Sequence, residues 1–272
     1  MNISATLPAL DNLKQVSKGD ILDFRKNGHV LIKEVLDEEE IAAYRDVIAR
    51  AAEKYNEEKR KLEDRDTYGK AFLQIMNLWT VDESVKKFTL AKRFAKIAAD
   101  LLGVDNVRIY HDQALFKEPG GGPTPWHQDQ YYWPIDTYNT ITMWMPLIDI
   151  DEEMGMLTFA SGSHTKGYVF NTAISDESEE EFDNFVKENK YPIVRPKHMN
   201  AGDATFHYGY TIHNAPGNAS TQMREVMTII YVADGAKITQ PKHQYQIADH
   251  KKWLMELPVG AEVSSALNPL VL

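Results

Sequence analysis

Residues 202–214 read GDATFHYGYTIHN, a turn followed by a β-prone run. β-Branched and aromatic residues favour strands, whereas Gly, Asp and Asn favour the turns that bound them. From about residue 105 onward, short segments of this kind alternate with Gly, Pro, Asn and Asp. We predict strands at 106–111, 113–117, 124–132, 139–147, 156–160, 192–195, 203–213 and 224–233. About eight short strands at this spacing predict an all-β sandwich or jelly roll.

The first 105 residues carry helical patterns instead. An amphipathic pattern over 17–27 ends at Gly28, and Asp37 marks the start of a second helix. A third helix is predicted from Asp82 to Leu102. The acidic stretch 175–181 reads as a solvated insertion or, alternatively, a substrate lid. We therefore expect one catalytic domain over 1–272: a mainly helical flank (1–105), a cupin-like jelly-roll core of the double-stranded β-helix type (106–235) and a C-terminal extension (236–272).

Composition excludes several classes of function. The chain has no cysteine, which excludes disulfides, thiolate nucleophiles, Fe–S clusters and cysteine-bound zinc. A formal net charge of -10 argues against partners such as nucleic acid or an anionic membrane, because both need a basic surface. The sequence has neither a signal-peptide pattern nor an apolar run of about 18 residues. A cytoplasmic protein with a small-molecule substrate is the expectation.

Trp126-His127-Gln128-Asp129 lies in one of the predicted strands. Alternate residues of a strand face the same side, so His127 and Asp129 should point together and Gln128 away from them. Two ligands hold a metal poorly, and His213, in the later β-prone run, can supply a third. Two histidines and one carboxylate leave three positions of an octahedral ion open. Non-haem Fe(II) oxygenases need that arrangement for a cosubstrate and O₂.

Arg224 follows His213 by eleven residues and should share a strand face with Val226, Thr228 and Ile230. An arginine on an apolar strand face is costly unless it meets an anion. Its planar guanidinium suits a bidentate carboxylate. A pair with Asp203 or Glu225, or an exposed strand end, remains open as the alternative.

These segments occur in a fixed order that resembles the phytanoyl-CoA dioxygenase family. The order is WHQDQYYW (126–133), TMWMPL (142–147), SGSH (161–164), GDATFHYGYTIHNAPGN (202–218) and Arg224. The resemblance extends over most of the chain, from Phe24 to the Asn268-Pro269-Leu270 tail. It implies that His127, Asp129 and His213 bind Fe(II), and that Arg224 clamps the distal carboxylate of 2-oxoglutarate. It also implies that Lys117 and Trp144 line the cosubstrate pocket, with Gln128 as a further candidate.

The same resemblance implies an Fe(II)- and 2-oxoglutarate-dependent dioxygenase. Such an enzyme uses O₂, releases succinate and CO₂, and most often hydroxylates an unactivated C–H bond of a small molecule. Related halogenases replace the carboxylate ligand with Gly or Ala, so Asp129 favours hydroxylation, desaturation or ring formation. Two alternatives remain: a metal-dependent hydrolase or isomerase on the same three ligands, and a non-catalytic binding module.

Overall fold

The structure, a computed structural model, describes residues 6–272. Within this range the chain forms seven α-helices and twelve strands. The helices are α1 Lys18–Asn27, α2 Glu38–Tyr55, α3 Thr67–Ala71, α4 Glu83–Thr89, α5 Lys92–Leu102, α6 Asp176–Glu188 and α7 Gln244–Lys252. The strands are β1 His29–Ile32, β2 Leu73–Met76, β3 Val107–Phe116, β4 Thr124–His127, β5 Thr140–Pro146, β6 Ile150–Asp151, β7 Thr158–Ala160, β8 Ile193–Val194, β9 His198–Met199, β10 Ala204–Tyr208, β11 His213–Ala215 and β12 Val226–Ala233.

The strands form the jelly-roll core that the sequence predicts, as an antiparallel, open arrangement rather than a closed barrel. One sheet has six strands in the order β1-β10-β5-β12-β3-β2, and a second has four in the order β4-β11-β7-β8. The residues of β5 alternate between two environments. Met143 and Met145 pack in the large core that includes α2, α4 and α5, whereas Trp144 packs with Phe159 of the smaller sheet. Helices α2, α4 and α5 therefore cover one face of the large sheet, and its other face is turned toward the small sheet.

The first helix begins and ends where the sequence predicts, and the second begins at the predicted residue. The Ser17 side chain accepts a hydrogen bond at the start of α1, which ends at Gly28 in a left-handed conformation with a φ of 83°. Asp37 and Glu40 form a reciprocal capping box at the start of α2. Each such cap contributes about 1 kcal/mol, which explains why these boundaries are readable from local sequence.

The single helix predicted over 82–102 is wrong, because the chain forms α4 and α5 with a break at Leu90 and Ala91. In one continuous helix, Phe94 would lie about 240° around the axis from Phe88 and could not share its buried face. The break brings both rings into the core, with centroids 4.9 Å apart.

Several strand predictions also need correction. The segment 203–213 is not one strand: β10 lies in the large sheet and β11 in the small one. Segments 106–111 and 113–117 are instead one strand, β3, and the short strands β1, β2, β6 and β9 were not predicted. The strand predicted over 124–132 stops at His127, and a 3-10 turn over Asp129–Tyr132 follows. None of the helices in the described range combines the length and the hydropathy needed to cross a membrane.

The acidic stretch lies in α6, which packs against the rest of the protein, so the prediction of a solvated insertion holds only for the exposed acidic side chains. Ser175 caps α6, and Phe182 and Val186 are buried on its inner face. Glu179 accepts a hydrogen bond from the backbone N–H of Trp126 at 2.7 Å. The acidic residues mark the exposed side and the N-terminal turn of an amphipathic helix, where negative charge is favourable.

Candidate active site

The two sheets meet at His127, Asp129 and His213. His127 ends β4 and His213 begins β11, and the two are direct partners in the ladder between these strands. Asp129 Oδ1 lies 3.4 Å from His127 Nε2 and 3.6 Å from His213 Nε2. One potential ligand atom from each residue falls within 4.8 Å of the others. The three side chains therefore converge on a volume that suits one metal ion.

The side chains of His127 and Asp129 face the same side, although β4 ends at His127. Gln128 keeps an extended conformation, with φ −119° and ψ 128°, before the 3-10 turn begins. One extended residue is enough to preserve strand alternation, so the flanking side chains still face the same side. Sequence alternation thus predicts the correct geometry here, even though it predicts a longer strand than the one that forms.

Hydrogen bonds orient both imidazoles toward the centre. Nδ1 of His127 donates to the carbonyl of Pro125 at 2.8 Å, and Nδ1 of His213 donates to that of Thr211 at 2.9 Å. A proton on Nδ1 leaves the lone pair of Nε2 free to bind a metal. Burial, and then the neighbouring imidazole of His127, hold the pKa of His213 well below its usual value. This direction suits a metal ligand, because an imidazole binds a metal in its neutral form.

Asp129 is held in the complementary charged form. Burial alone would raise its pKa, but the neighbouring imidazoles, above all His213, hold the pKa well below the usual range. Its Oδ2 atom accepts from Thr142 Oγ1 at 2.9 Å and lies 3.3 Å from His207 Nε2. These contacts leave Oδ1 facing His127 and His213. His207 acts as a packed neighbour that fixes the carboxylate.

Arg224 is buried on the same cavity as these ligands, and only 2% of its surface is exposed. One guanidinium nitrogen donates to the carbonyl of Gly155 at 2.5 Å, while Nε has no hydrogen-bond partner anywhere in residues 6–272. The guanidinium also lies 5.4 Å from the ring of Trp144. Burial lowers its pKa to about 9. Within residues 6–272, no carboxylate pairs with this buried cation.

The alternative partners considered for Arg224 are engaged elsewhere. Glu225 forms an ion pair with Arg45 at 2.7 Å on the surface. The carboxylate of Asp203 accepts from the backbone N–H groups of Glu34 and Asn200. The alternative reading of Arg224 as a structural ion pair or an exposed strand end is therefore wrong.

Lys117 lies behind the cavity wall rather than on it, so its prediction as a lining residue needs correction. Its ammonium donates to the carbonyls of Gly122 at 2.5 Å and Pro216 at 3.1 Å, and to Thr124 Oγ1 at 3.4 Å. Burial and the charge of Arg224 lower the pKa of Lys117 to about 6. Its backbone pairs with that of Arg224 through two 2.9 Å hydrogen bonds. Lys117 therefore ties together the loops that hold Arg224 and Thr124.

The prediction that Gln128 lines the cosubstrate pocket is wrong. Its Nε2 atom donates to the carbonyls of Gly167 at 2.8 Å and Tyr210 at 2.7 Å, and its Oε1 accepts from the N–H of Val169 at 3.1 Å. The alternation that unites the flanking ligands turns Gln128 to the opposite side. Trp144, in contrast, does line the cavity.

The cavity has a volume of about 550 Å³ and extends well beyond the metal ligands. Sequence reasoning missed most of its outer lining, namely Tyr68, Phe72, Gln74, His111, Gln113, Tyr245, Asp249 and Trp253. Asp249 of α7 accepts from Tyr110 Oη at 2.5 Å and from His111 Nε2 at 3.1 Å, which anchors the C-terminal segment to β3. These residues carry no motif. Only the alternation of His111 with Gln113 along one strand could have suggested a shared face.

The sequence pattern of the family described as Phytanoyl-CoA dioxygenase (PhyH) matches residues 24–226, a span that includes all three potential metal ligands and Arg224. The chain belongs to this family. A "Probable alpha-ketoglutarate-dependent hypophosphite dioxygenase" from Stutzerimonas stutzeri is 26% identical over 159 residues, which cover 57% of this chain and 54% of that protein. A "Phytanoyl-CoA dioxygenase domain-containing protein 1" from Danio rerio is 25% identical over 171 residues, 60% of this chain and 58% of that protein. The chain thus matches little more than half the length of these PhyH relatives.

Solved structures match over nearly the whole chain. One is SnoK from nogalamycin biosynthesis, a non-heme, alpha ketoglutarate dependent carbocyclase. It has 25% identity and a TM-score of 0.78, with 95% of this chain and 97% of that chain covered. The epimerase SnoN, in complex with Fe3+, alpha ketoglutarate and nogalamycin RO, has 23% identity and a TM-score of 0.75, with 93% and 98% covered. EctD from S. alaskensis, with 2-oxoglutarate and 5-hydroxyectoine, has 18% identity and a TM-score of 0.66, with 88% of each chain covered. These proteins and the PhyH chain described here share one fold.

Proposed function

We propose that this chain is an Fe(II)- and 2-oxoglutarate-dependent dioxygenase that hydroxylates an unactivated C–H bond of a small molecule. Succinate and CO₂ would be released, and residues 1–272 would act as a single catalytic domain. One observation carries the proposal: a buried arginine that has no anionic partner in the described part of the chain shares a cavity with three converging metal ligands. Membership of the PhyH family supports it.

The donor set fits a ferrous ion. His127 and His213 would offer neutral Nε2 atoms and Asp129 a carboxylate oxygen, a combination that suits Fe(II) and leaves coordination positions free. The iron and its cosubstrate would supply the oxidising chemistry, and the protein would position the reactants and exclude water. The similar structures of SnoN and EctD are complexes with alpha ketoglutarate and 2-oxoglutarate, respectively, which supports the same cosubstrate here.

Arg224 would bind the distal carboxylate of 2-oxoglutarate. Its unpartnered Nε and its lowered pKa both reflect a missing anion, and a carboxylate at this position would accept charge-assisted hydrogen bonds. Trp144 would pack beside the same group. Lys117 would act indirectly, because its ammonium is already engaged by protein oxygens and its backbone holds the strand that carries Arg224.

The first experiment tests the cosubstrate. Fe(II) and then 2-oxoglutarate are added to the apoprotein without oxygen, and the weak visible charge-transfer band of their chelate is recorded. We expect a band in the wild type and in the control His198→Ala, whose histidine is exposed and pairs only with surface groups. We expect no band in His127→Ala.

The outcomes separate the proposal from its alternatives. A wild-type protein that binds iron but shows no band would remove 2-oxoglutarate and favour a hydrolase or isomerase. A protein that binds no metal would be a binding module.

The second experiment tests the type of oxidation once a substrate is found. Similar structures include a carbocyclase and an epimerase, so the shared fold accommodates other outcomes. Hydroxylation adds one oxygen atom to the product, derived from ¹⁸O₂ in a labelled reaction. A product with two fewer hydrogens would contradict hydroxylation and point to ring formation or desaturation. A product of unchanged mass would also contradict it and point to epimerisation.

A further inference from the structure

The cavity follows the rows of the six-stranded sheet away from the metal ligands. One row joins His207, Thr142, Ile230 and His111 on β10, β5, β12 and β3, and the next joins Trp144, Thr228, Gln113 and Met76 on β5, β12, β3 and β2. All eight residues line the cavity. Adjacent strands are about 4.8 Å apart, so β3 and β2 lie roughly 10 and 14 Å from β5, whose Thr142 binds Asp129. The outer cavity therefore has room for a molecule much larger than a small anion.

Aromatic rings form much of the wall of this outer part, namely Tyr68, Phe72, Tyr132, Trp133, Tyr245 and Trp253. Three segments each supply two of these rings: α3 with the residue after it, the 3-10 turn over Asp129–Tyr132 with the residue after it, and α7 with the residue after it. Rings on several sides of one cavity favour a ligand with flat apolar faces, because each ring offers a large rigid contact surface.

A chain of hydrogen bonds ends with an available donor at this surface. Tyr68 Oη donates to Gln74 Oε1 at 2.8 Å, and Gln74 Nε2 donates to Gln113 Oε1 at 3.1 Å. Nε2 of Gln113 makes no hydrogen bond within the described part of the chain, although the residue is half-buried and lines the cavity. A half-buried amide donor of this kind is suited to an uncharged oxygen acceptor.

The charged residues of the outer cavity are two acids, Asp66 and Asp249, and one exposed cation, Lys252. Asp249 is already bound by Tyr110 and His111. Asp66 accepts a hydrogen bond from the N–H of Gly69 at the start of α3. Lys252 is exposed, with its ammonium 4.5 Å from the ring of Trp253. An anionic substrate would have to lose water here without a buried cation in return.

We propose that the outer cavity binds an uncharged, ring-containing substrate with a hydroxyl or carbonyl oxygen that accepts a hydrogen bond from Gln113 Nε2. The inference rests on the proposed function only for the reacting end. It excludes hypophosphite, the compound named for one relative, as the substrate, because that ion is too small and carries a charge. It also excludes phosphate-rich thioesters.

The test uses two matched pairs of probes at neutral pH: 1,8-dihydroxyanthraquinone against 4,5-dihydroxyanthraquinone-2-carboxylate, and estriol against estriol 3-sulfate. Binding is measured by equilibrium dialysis of the protein loaded with Fe(II) and 2-oxoglutarate under nitrogen. At least one neutral probe should bind, and at least tenfold more tightly than its anionic counterpart. Gln113→Leu should weaken that binding about three- to tenfold, as expected for one hydrogen bond. The control Gln240→Leu, at an exposed position, should match the wild type.

Gln113→Glu guards against a folding defect in the leucine variant, since it keeps the shape and removes the donor. It should weaken the neutral probe to a similar extent. Equal or tighter binding of the anionic probes, or no binding of either neutral probe, would overturn the proposal. Loss of the iron and 2-oxoglutarate band would count against the proposed function alone, because dialysis with the apoprotein still reports on the outer cavity.

Discussion

Replacement of Arg224 with methionine should have opposite effects on cosubstrate binding and on the stability of the free protein. Methionine keeps much of the apolar stem but removes the cation. Removing one partner of a buried, hydrogen-bonded charge pair costs about 2–5 kcal/mol. The Kd of 2-oxoglutarate should therefore rise by between about thirtyfold and several thousandfold.

The apoprotein should gain stability from the same change. At 1.36 kcal/mol for each pH unit, a fall in the pKa of Arg224 from 12.5 to about 9 corresponds to about 5 kcal/mol by which burial disfavours its charged form. The substitution also loses the hydrogen bond to Gly155 and the contact with Trp144. We expect a net gain of about 1–3 kcal/mol, since apolar replacement of buried charge is often stabilising by this amount. The Tm should rise by a few degrees.

Both effects are measurable on the same protein samples. The charge-transfer band gives the affinity for 2-oxoglutarate by anaerobic titration, and calorimetry of the metal-free protein gives its Tm. Arg50→Met is the matched control, because Arg50 is exposed and does not line the cavity. Both the affinity for 2-oxoglutarate and the Tm should stay at the wild-type value. If Arg224→Met lowers the Tm and leaves the affinity unchanged, the guanidinium is a structural group and the reasoning is refuted.

Three further predictions concern the surroundings of the site. Gly155→Ala should lower the free energy of unfolding by more than about 1 kcal/mol and weaken 2-oxoglutarate binding. The φ of Gly155 is 82°, and an added Cβ atom would lie 2.6 Å from the carbonyl oxygen of Pro216. An unchanged midpoint of chemical denaturation would contradict this prediction. Asp112→Asn should raise the Tm relative to wild type, by an amount that grows between about pH 4 and pH 7. Burial raises the pKa of Asp112 to about 7, so the folded wild type loses stability as pH rises through this range, whereas the asparagine variant does not. A Tm difference independent of pH would exclude the mechanism. Phe182→Ala should lower the free energy of unfolding, measured by urea denaturation, by about 3–5 kcal/mol. Glu180→Ala, at an exposed position of the same helix, should change it by less than about 0.5 kcal/mol. Equal effects would mean that α6 is not packed as described.

Local sequence was sufficient for the features that depend on near neighbours in the chain. Ser17, Gly28 and Asp37 mark helix ends through contacts within four residues. Strand alternation correctly places His127 and Asp129 together and Gln128 on the other side, since it needs only one extended residue between the ligands. The family resemblance, carried by ordered motifs, is confirmed by the match over residues 24–226.

Other features required the tertiary structure. The segment 203–213 is rich in β-prone residues on both sides of Gly209, yet its halves join different sheets, because pairing is decided by strands far away in the chain. The acidic stretch 175–181 has a charged composition, but the packing of Phe182 against the jelly roll makes it part of a helix.

The sequence by itself determined which residues can bind a metal, because ligand chemistry and strand periodicity are local properties. Only the tertiary structure decided which buried basic side chains already have hydrogen-bond partners. Lys117 and Arg224 both read as cations beside a cosubstrate, but Lys117 donates to three protein oxygens and Arg224 keeps an unpartnered Nε within the described residues. The free energy of a buried charge depends on every group that surrounds it, and those groups come from loops and strands that no local pattern connects.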